Sequence, residues 1–420
     1  MQIDAGDTAW VLGSAALVLF MTPGLALFYG GMVRSKNVLA MMVQNLATIA
    51  VVSIVWAVAA YSLAFGPDAG GGFIGTFHLA GLAHPNDAVP GLDLSVPPLA
   101  FAAFQMMFAV ITCALLTGAG ADRMHLRGFL VFGVLWTLVV YAPIAHWVFS
   151  PGGWLFDRGV LDFAGGTVVE TNSGASALAL ALVLGRRRGW PREAMAPHSL
   201  PLTVVGAGIL WFGWFGFNAG SALGSNGLAA QALMSTQLAA CAGLLGWLLV
   251  ERIRTGSATT LGAASGAVCG LVAITPACGF VNSMGAIVVG LAGGVVGVLA
   301  VSAKYRLGYD DSLDVVGVHG ACGVVGTVLI GVFATSAVNG GITDEGLVSG
   351  GSAHLLGVQA LAVLVTIAWA FTVTWLVAQL VQRTVGLRVT DAVEVEGLDT
   401  AIHGESAYDF GNVRAGRVGY

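Results

Sequence analysis

Eleven apolar runs, each of a length that crosses a bilayer, divide the sequence near residues 8–33, 38–65, 98–120, 128–149, 163–185, 200–219, 227–250, 258–275, 282–303, 315–334 and 353–382. A hydrocarbon core of roughly 30 Å takes about 20 residues at the helical rise. In that medium every backbone N–H and C=O must be bonded within its own segment, so each run reads as a helix and the chain as an all-α polytopic membrane protein. The runs at 200–219 and 258–275 stand nearest the minimum of about 17 residues. Composition agrees: 57% of the chain is hydrophobic and 9% charged, against about a quarter charged in soluble domains. Many of the 61 glycines lie inside the apolar runs, as in GAASGAVCG at residues 262–270, where a glycine every four positions lets helices approach closely.

Charge placement fixes the topology. Arg34 and Lys36, Arg123 and Arg127, Arg186, Arg187, Arg188 and Arg192, Arg252 and Arg254, and Lys304 and Arg306 lie in alternate connections. Arg383, Arg388, Arg414 and Arg417 close the last span, and of the 17 basic residues only Arg158 falls on the other side. By the positive-inside rule the N-terminus is outside and the C-terminus cytoplasmic, as an odd number of spans requires. Eleven divides as five, five and one, an inverted repeat followed by one long C-terminal helix. The acidic, glycine-bearing starts DFAGGTVVE at residues 162–170 and DVVGVHGACG at residues 314–323 echo that repeat from opposite faces. Residues 1–384 form the membrane domain and 385–420 a cytoplasmic tail carrying Asp391, Glu394, Glu396, Asp399, Glu405 and Asp409. Such an acidic segment reads by default as solvated.

Several classes are excluded. A net charge of -5 offers nothing to nucleic acid. The five cysteines are scattered through apolar segments, where a thiol is packing material and not a disulfide framework. The first apolar run follows MQIDAGDTAW, with no basic residue before it, and reads as a span that stays. No phosphate loop, metal-ligand cluster or nucleophile elbow is present, so the chain reads as neither an enzyme nor the holder of a metal or cofactor.

Two titratable residues lie deep. Eight residues at the helical rise place Glu170 about 12 Å beyond Asp162, inside the hydrocarbon. It is the one charged side chain well within a span, and His319 is the deepest histidine. An intramembrane ionisable group is costly and functional by default; an acid and an imidazole entering from opposite faces make a proton relay or polar waypoint the favoured reading. Asp314, at the start of span ten, reads equally as an N-cap. Asp162 reads as the N-cap of span five and as a negative charge near the mouth. Trp214, Phe217 and Ser221 share one helix face, as do Phe104 and Phe108; periodicity alone reads both stripes as packing.

The sequence itself carries more. PGLALFYGGMVRSKNVL at residues 23–39, FQMMFAVIT at 104–112, PIAHW at 143–147 and DFAGGTVV at 162–169 occur in order with GWFGFNAGSA at 213–222, TPACGF at 275–280 and DVVGVHGACG at 314–323. The tail adds VGLRV at 385–389 and EGLDTAIHGESAY at 396–408. Together they resemble the ammonium transporter family, the Amt/Mep/Rh proteins, over nearly the whole chain. The resemblance implies eleven helices with the N-terminus outside the cell membrane, a homotrimer, one narrow pore per subunit, and a tail packed beneath the pores and regulated by a PII-type signal protein. It implies an outer cation site at Phe108, Phe149 and Ser221, supported by Asp162 beneath, and a gate of Phe108 and Phe217. Phe28, Phe104, Trp214 and Thr275 correspond to further pore positions. Two departures stand out: Glu170 replaces the first of two facing histidines, of which His319 is the second, as in some fungal members, and Phe149 replaces a tryptophan.

The function implied is ammonium transport, with methylammonium as an analogue. The cation is recruited, deprotonated and passed as NH3, its proton travelling separately. A passive channel for NH3 or another small neutral gas, and an ammonium sensor, remain as alternatives.

Overall fold

The computed structural model describes residues 2–408. Asp409, Arg414 and Arg417 lie outside that range. Among the described residues ten helices are long and apolar enough to cross a membrane. They are α1 Ala5–Met32, α2 Val38–Phe65, α3 Pro98–Gly120, α4 Leu126–Phe149, α5 Gly166–Leu184, α6 Leu200–Gly220 and α7 Gly227–Thr255, then α9 Ser283–Leu307, α10 Val316–Phe333 and α11 Ala353–Thr384. Between them α8, Thr260–Ile274, is apolar but short, and turns carry the chain on from Thr275. All eleven expected spans are therefore helices.

Their ends are written locally. Asp4, Ser199, Asn226, Thr259 and Asn282 each accept a backbone N–H from the first turn of α1, α6, α7, α8 and α9, the usual remedy for the unbonded donors there. Arg252 and Arg254 occupy the last turn of α7, and Lys304 and Arg306 that of α9, where cations meet the negative end of the helix dipole. These helices reach further than their apolar runs because charged last turns leave the hydrocarbon without unwinding.

The two halves meet in equivalent pairs. The α1–α6 pair is the most extensively packed in the molecule, and α5 crosses α10. At that crossing a Cβ on Gly174 would lie 2.1 Å from the Gly320 Cα, so the backbones touch. Gly174→Leu is therefore expected to spread α5 from α10, costing several kcal/mol on the scale of overpacked cores and abolishing folded protein. Gly174→Ala should give a melting point measurably below wild type, and an unchanged one would show that the crossing yields freely.

The repeat is in register at the level of single atoms. Asp162, Gly165, Val169 and Glu170 in the α5 entry correspond to Asp311, Asp314, Val318 and His319 in the α10 entry. Gly165 and Asp314 both take positive φ, at 111° and 67°. The Val169 N–H donates to the Gly165 carbonyl and the Val318 N–H to the Asp314 carbonyl, each at 2.8 Å. Both helices begin with a widened, five-residue turn, Gly166–Thr171 and Val316–Ala321. Such loosened turns are rare and frequent at functional sites. Because α5 starts at Gly166 and not at Asp162, Glu170 lies only about 6 Å into its helix.

The carboxylate that caps α10 is Asp311, which accepts the Val316 N–H at 2.7 Å. Asp314 instead pairs with Lys304. The echo at the sequence level is thus offset by three residues from the one the fold makes. Burial pushes the Asp311 carboxyl up to about 6, against the pull of the Lys304 ammonium and with Asp314 adding to the rise. A free aspartate titrates near 3.9, so between about pH 4 and 6 the native chain binds a proton that the unfolded chain has released. Stability therefore falls as pH rises through that window, by at most roughly 3 kcal/mol. Asp311→Asn, which keeps the capping oxygen, is expected to melt progressively higher than wild type from pH 4 to pH 6, a gap followed by thermal unfolding at each pH.

The tail is not merely solvated. Glu394 and Asp399 are each 1% exposed. Asp399 accepts the N–H groups of Leu39 and Ala40 at 3.1 and 2.8 Å, capping α2. Glu394 accepts from the Arg388 side chain and the Arg188 N–H.

Candidate functional site

On the face that carries the N-terminus, the ends of α4 and α6 and the body of α3 enclose a vestibule of about 100 Å3. Phe108, Phe149 and Ser221 line it together, along with Phe101, Phe163 and Gln105. Gln105 is not among the residues that the motifs mark; its place between Phe104 and Phe108 in FQMMF is the signal it carries. The Ser221 hydroxyl donates to the Phe217 carbonyl at 2.8 Å, leaving its lone pairs to accept.

Asp162 stands below this wall and is spent on structure. Its carboxylate accepts the N–H groups of Gly165, Gly166 and Thr167 at 2.8, 2.6 and 2.8 Å and the Thr167 hydroxyl. The charge fixes the first turn of α5 and lends the region its sign, in the manner of an anion at a helix N-terminus.

The floor of the vestibule is a pair of rings. Phe108 and Phe217 stack with centroids 4.2 Å apart and planes 30° apart, each 1% exposed. Phe104 abuts Phe108 at 4.9 Å and Trp214 abuts Phe217 at 5.6 Å. Below them lies a narrow cavity of about 10 Å3, room for about one water-sized molecule. Its walls are Met21, Leu25, Ile111, Leu115, Leu210 and other apolar side chains, with Trp214 and Phe217 at one end. Glu170 and His319 are the titratable groups in that wall. The Glu170 Oε2 and His319 Nδ1 atoms are 2.7 Å apart, with 1% and 4% of the two residues exposed. Bringing them together needs α5 and α10 to cross at Gly174 and Gly320, and needs Gly323, whose Cβ would lie 2.6 Å from that of Glu170.

The remaining predicted residues are placed as follows. Thr275 accepts the Trp214 indole N–H at 2.8 Å and so holds the ring that borders the cavity. Phe28 packs on Tyr29 at 5.8 Å and Phe104 lies behind Phe108; neither borders the cavity itself. Asp314 and Lys304 line a wider opening of about 440 Å3 on the opposite face, beside Arg187, Trp190 and Tyr305. Among the described residues no group of three or more histidine, cysteine or acidic side chains is placed to hold a metal ion.

A family model described as Ammonium Transporter Family matches residues 9–408. The chain belongs to that family. It is 48% identical to the ammonium transporter of Mycobacterium tuberculosis, over 97% of this chain and 91% of the relative. Its fold is similar to the crystal structure of Saccharomyces cerevisiae Mep2, with a TM-score of 0.86 and 38% identity over 93% of this chain and 88% of that one. It is also similar to a sensor Amt protein, with a TM-score of 0.85 and 30% identity over 94% of this chain and 98% of that one. The chain is thus a multi-pass membrane protein of a transporter family and not of an enzyme family.

Proposed function

We propose that this ammonium transporter binds NH4+ at the vestibule of Phe108, Phe149 and Ser221, removes a proton there, conducts NH3 through the apolar cavity, and passes the proton separately by way of Glu170 and His319. The vestibule faces outward, the N-terminus with it, and the tail faces the cytoplasm. The observation that carries the reading is the Glu170–His319 contact of 2.7 Å in an otherwise apolar wall. A passive gas pore has no use for a titratable pair at that depth.

The physics follows from the two compartments. Aromatic faces attract a cation by about 0.5 to 2 kcal/mol depending on desolvation, and Ser221 accepts a hydrogen bond. Beyond the stacked rings a bare ion loses its water, at several kcal/mol even after relaxation. Potassium has no way round that cost. Ammonium does, because it can leave its charge behind as a proton. Net charge then crosses with each NH3.

Ammonium pulses on reconstituted protein over a solid-supported membrane test this reading: charge movement is expected, and its absence favours a passive NH3 channel. The likeness to a sensor Amt protein supplies the other alternative. Cells lacking their own ammonium carriers separate the two, since a pure sensor does not restore growth on low ammonium. The family resemblance further supports a homotrimer and a PII-type partner at the tail face. Loss of nucleotide-dependent association in a pull-down with such a protein would remove the partner.

A further inference from the structure

We infer that Gln105 is a direct ligand of the cation in the vestibule, accepting one ammonium N–H while Ser221 accepts another; this rests on the transport reading above. Gln105 is 9% exposed, and its Oε1, itself turned away from open space, has no hydrogen-bond partner. Buried carboxamides are nearly always bonded, so an unpaired one in the wall of a cavity marks a place where something else binds. The side chain borders the same space as Phe108, Phe149 and Ser221. It lies three residues before Phe108 on α3, so both project from one face of that helix.

The chemistry of the guest matches what is left unpaired. Ammonium carries four N–H donors in a tetrahedron and no acceptor. Phenyl faces attract the charge but bind it less well than an indole would, and they fix no N–H direction strongly. The Ser221 hydroxyl spends its own proton on the Phe217 carbonyl and keeps its lone pairs. No carboxylate lines the vestibule, and that of Asp162 is already engaged by backbone N–H groups. A carboxamide oxygen is then the second acceptor the wall offers. It is neutral, which suits a site that must release its cation at every cycle. An amide turns about its last bond to present oxygen to a cation, at no cost in packing.

The experiment compares wild type, Gln105→Leu, Gln105→Glu and Ser221→Ala by ammonium-evoked current in proteoliposomes, with half-saturation and maximal rate measured separately. A hydrogen bond to a charged group corresponds to roughly ten- to a hundred-fold in affinity. Gln105→Leu should therefore raise the half-saturating ammonium concentration about tenfold or more, by a larger factor than it lowers the maximal rate. Gln105→Glu, which keeps the acceptor, should stay at or below the wild-type value. If Gln105→Leu leaves half-saturation within twofold of wild type while Ser221→Ala raises it, Gln105 is not a ligand and the inference is overturned. A wild type with no ammonium flux overturns the transport reading instead. Should Gln105→Leu fail to accumulate, Gln105→Asn, which withdraws the oxygen by one methylene, carries the same test.

Discussion

Glu170→Gln is expected to reduce ammonium-evoked current by about a hundredfold, the lower range for a positioned proton-transfer group. The substitution preserves the shape of the side chain and its ability to bond the His319 Nδ1 atom, so the cavity keeps its form. What it removes is a group that can take and give a proton across the 2.7 Å contact. Glu170→Ala loses the same capacity and opens space as well; the glutamine variant is the sharper test because it separates titration from volume. NH3 itself needs no charge to cross the apolar wall, so a stopped-flow pH assay of passive NH3 entry should fall far less than the current. Full current in both variants would take Glu170 out of the proton's path and leave the pair a structural contact.

Asp310→Ala should produce the largest loss of stability, about 3 to 5 kcal/mol, by removing the carboxylate that faces two buried guanidinium groups. Arg187 grips Asp310 through Nε at 3.0 Å and Nη2 at 2.8 Å, and reaches Asp122 at 3.3 Å. Arg123, with none of its side chain exposed, stands 3.9 Å from the Asp310 carboxylate and donates to the Asp310 backbone carbonyl at 2.6 Å and to Ser312 at 2.5 Å. Burial pushes the Arg123 guanidinium down to about 10, with Asp310 the strongest force restoring it. The cluster ties the α3–α4, α5–α6 and α9–α10 connections to one another. Asn37 extends it, donating to Asp122 and accepting the Leu398 N–H at 2.9 Å, which brings in the tail. Burial opposes ionisation of Asp310, but Arg187 and Arg123 outweigh it and hold the carboxyl below the usual carboxylate range. The native pKa is thus depressed, so the stabilisation is present above about pH 4 and is lost as pH falls through the native value. Thermal unfolding in detergent at neutral and acid pH would follow it. A melting point for Asp310→Ala equal to wild type at neutral pH would mean that Asp122 and water suffice to hold the two arginines.

Asp310 and its neighbour Asp311 have opposite signs in this respect. One is bound by two guanidinium groups; the other faces a single ammonium that Asp314 shares. Adjacent identical residues therefore titrate differently, and nothing in the pair of letters at 310 and 311 distinguishes them.

The spans, their number and the presence of an acid at membrane depth are properties of the sequence alone. Apolar length, capping residues and flanking arginines act within one segment at a time, so Pro98–Gly120 begins and ends where its own residues dictate. The family too was legible, because its motifs are short and contiguous. Which side chains meet was decided by tertiary structure. Asp311 and not Asp314 answers Asp162 across the repeat, because register depends on the turn that precedes α10 and on the left-handed backbone of Asp314. Phe28 carries the family pattern yet stands off the cavity, Gln105 lines the vestibule although a lone glutamine in an apolar run names no partner, and Glu394 and Asp399 are buried in a tail that by composition alone reads as solvated. A side chain's partner is set by helices that converge from distant parts of the chain, through close approaches such as Gly174 on Gly320. The free energy of such a contact belongs to both partners at once and has no expression in either segment alone.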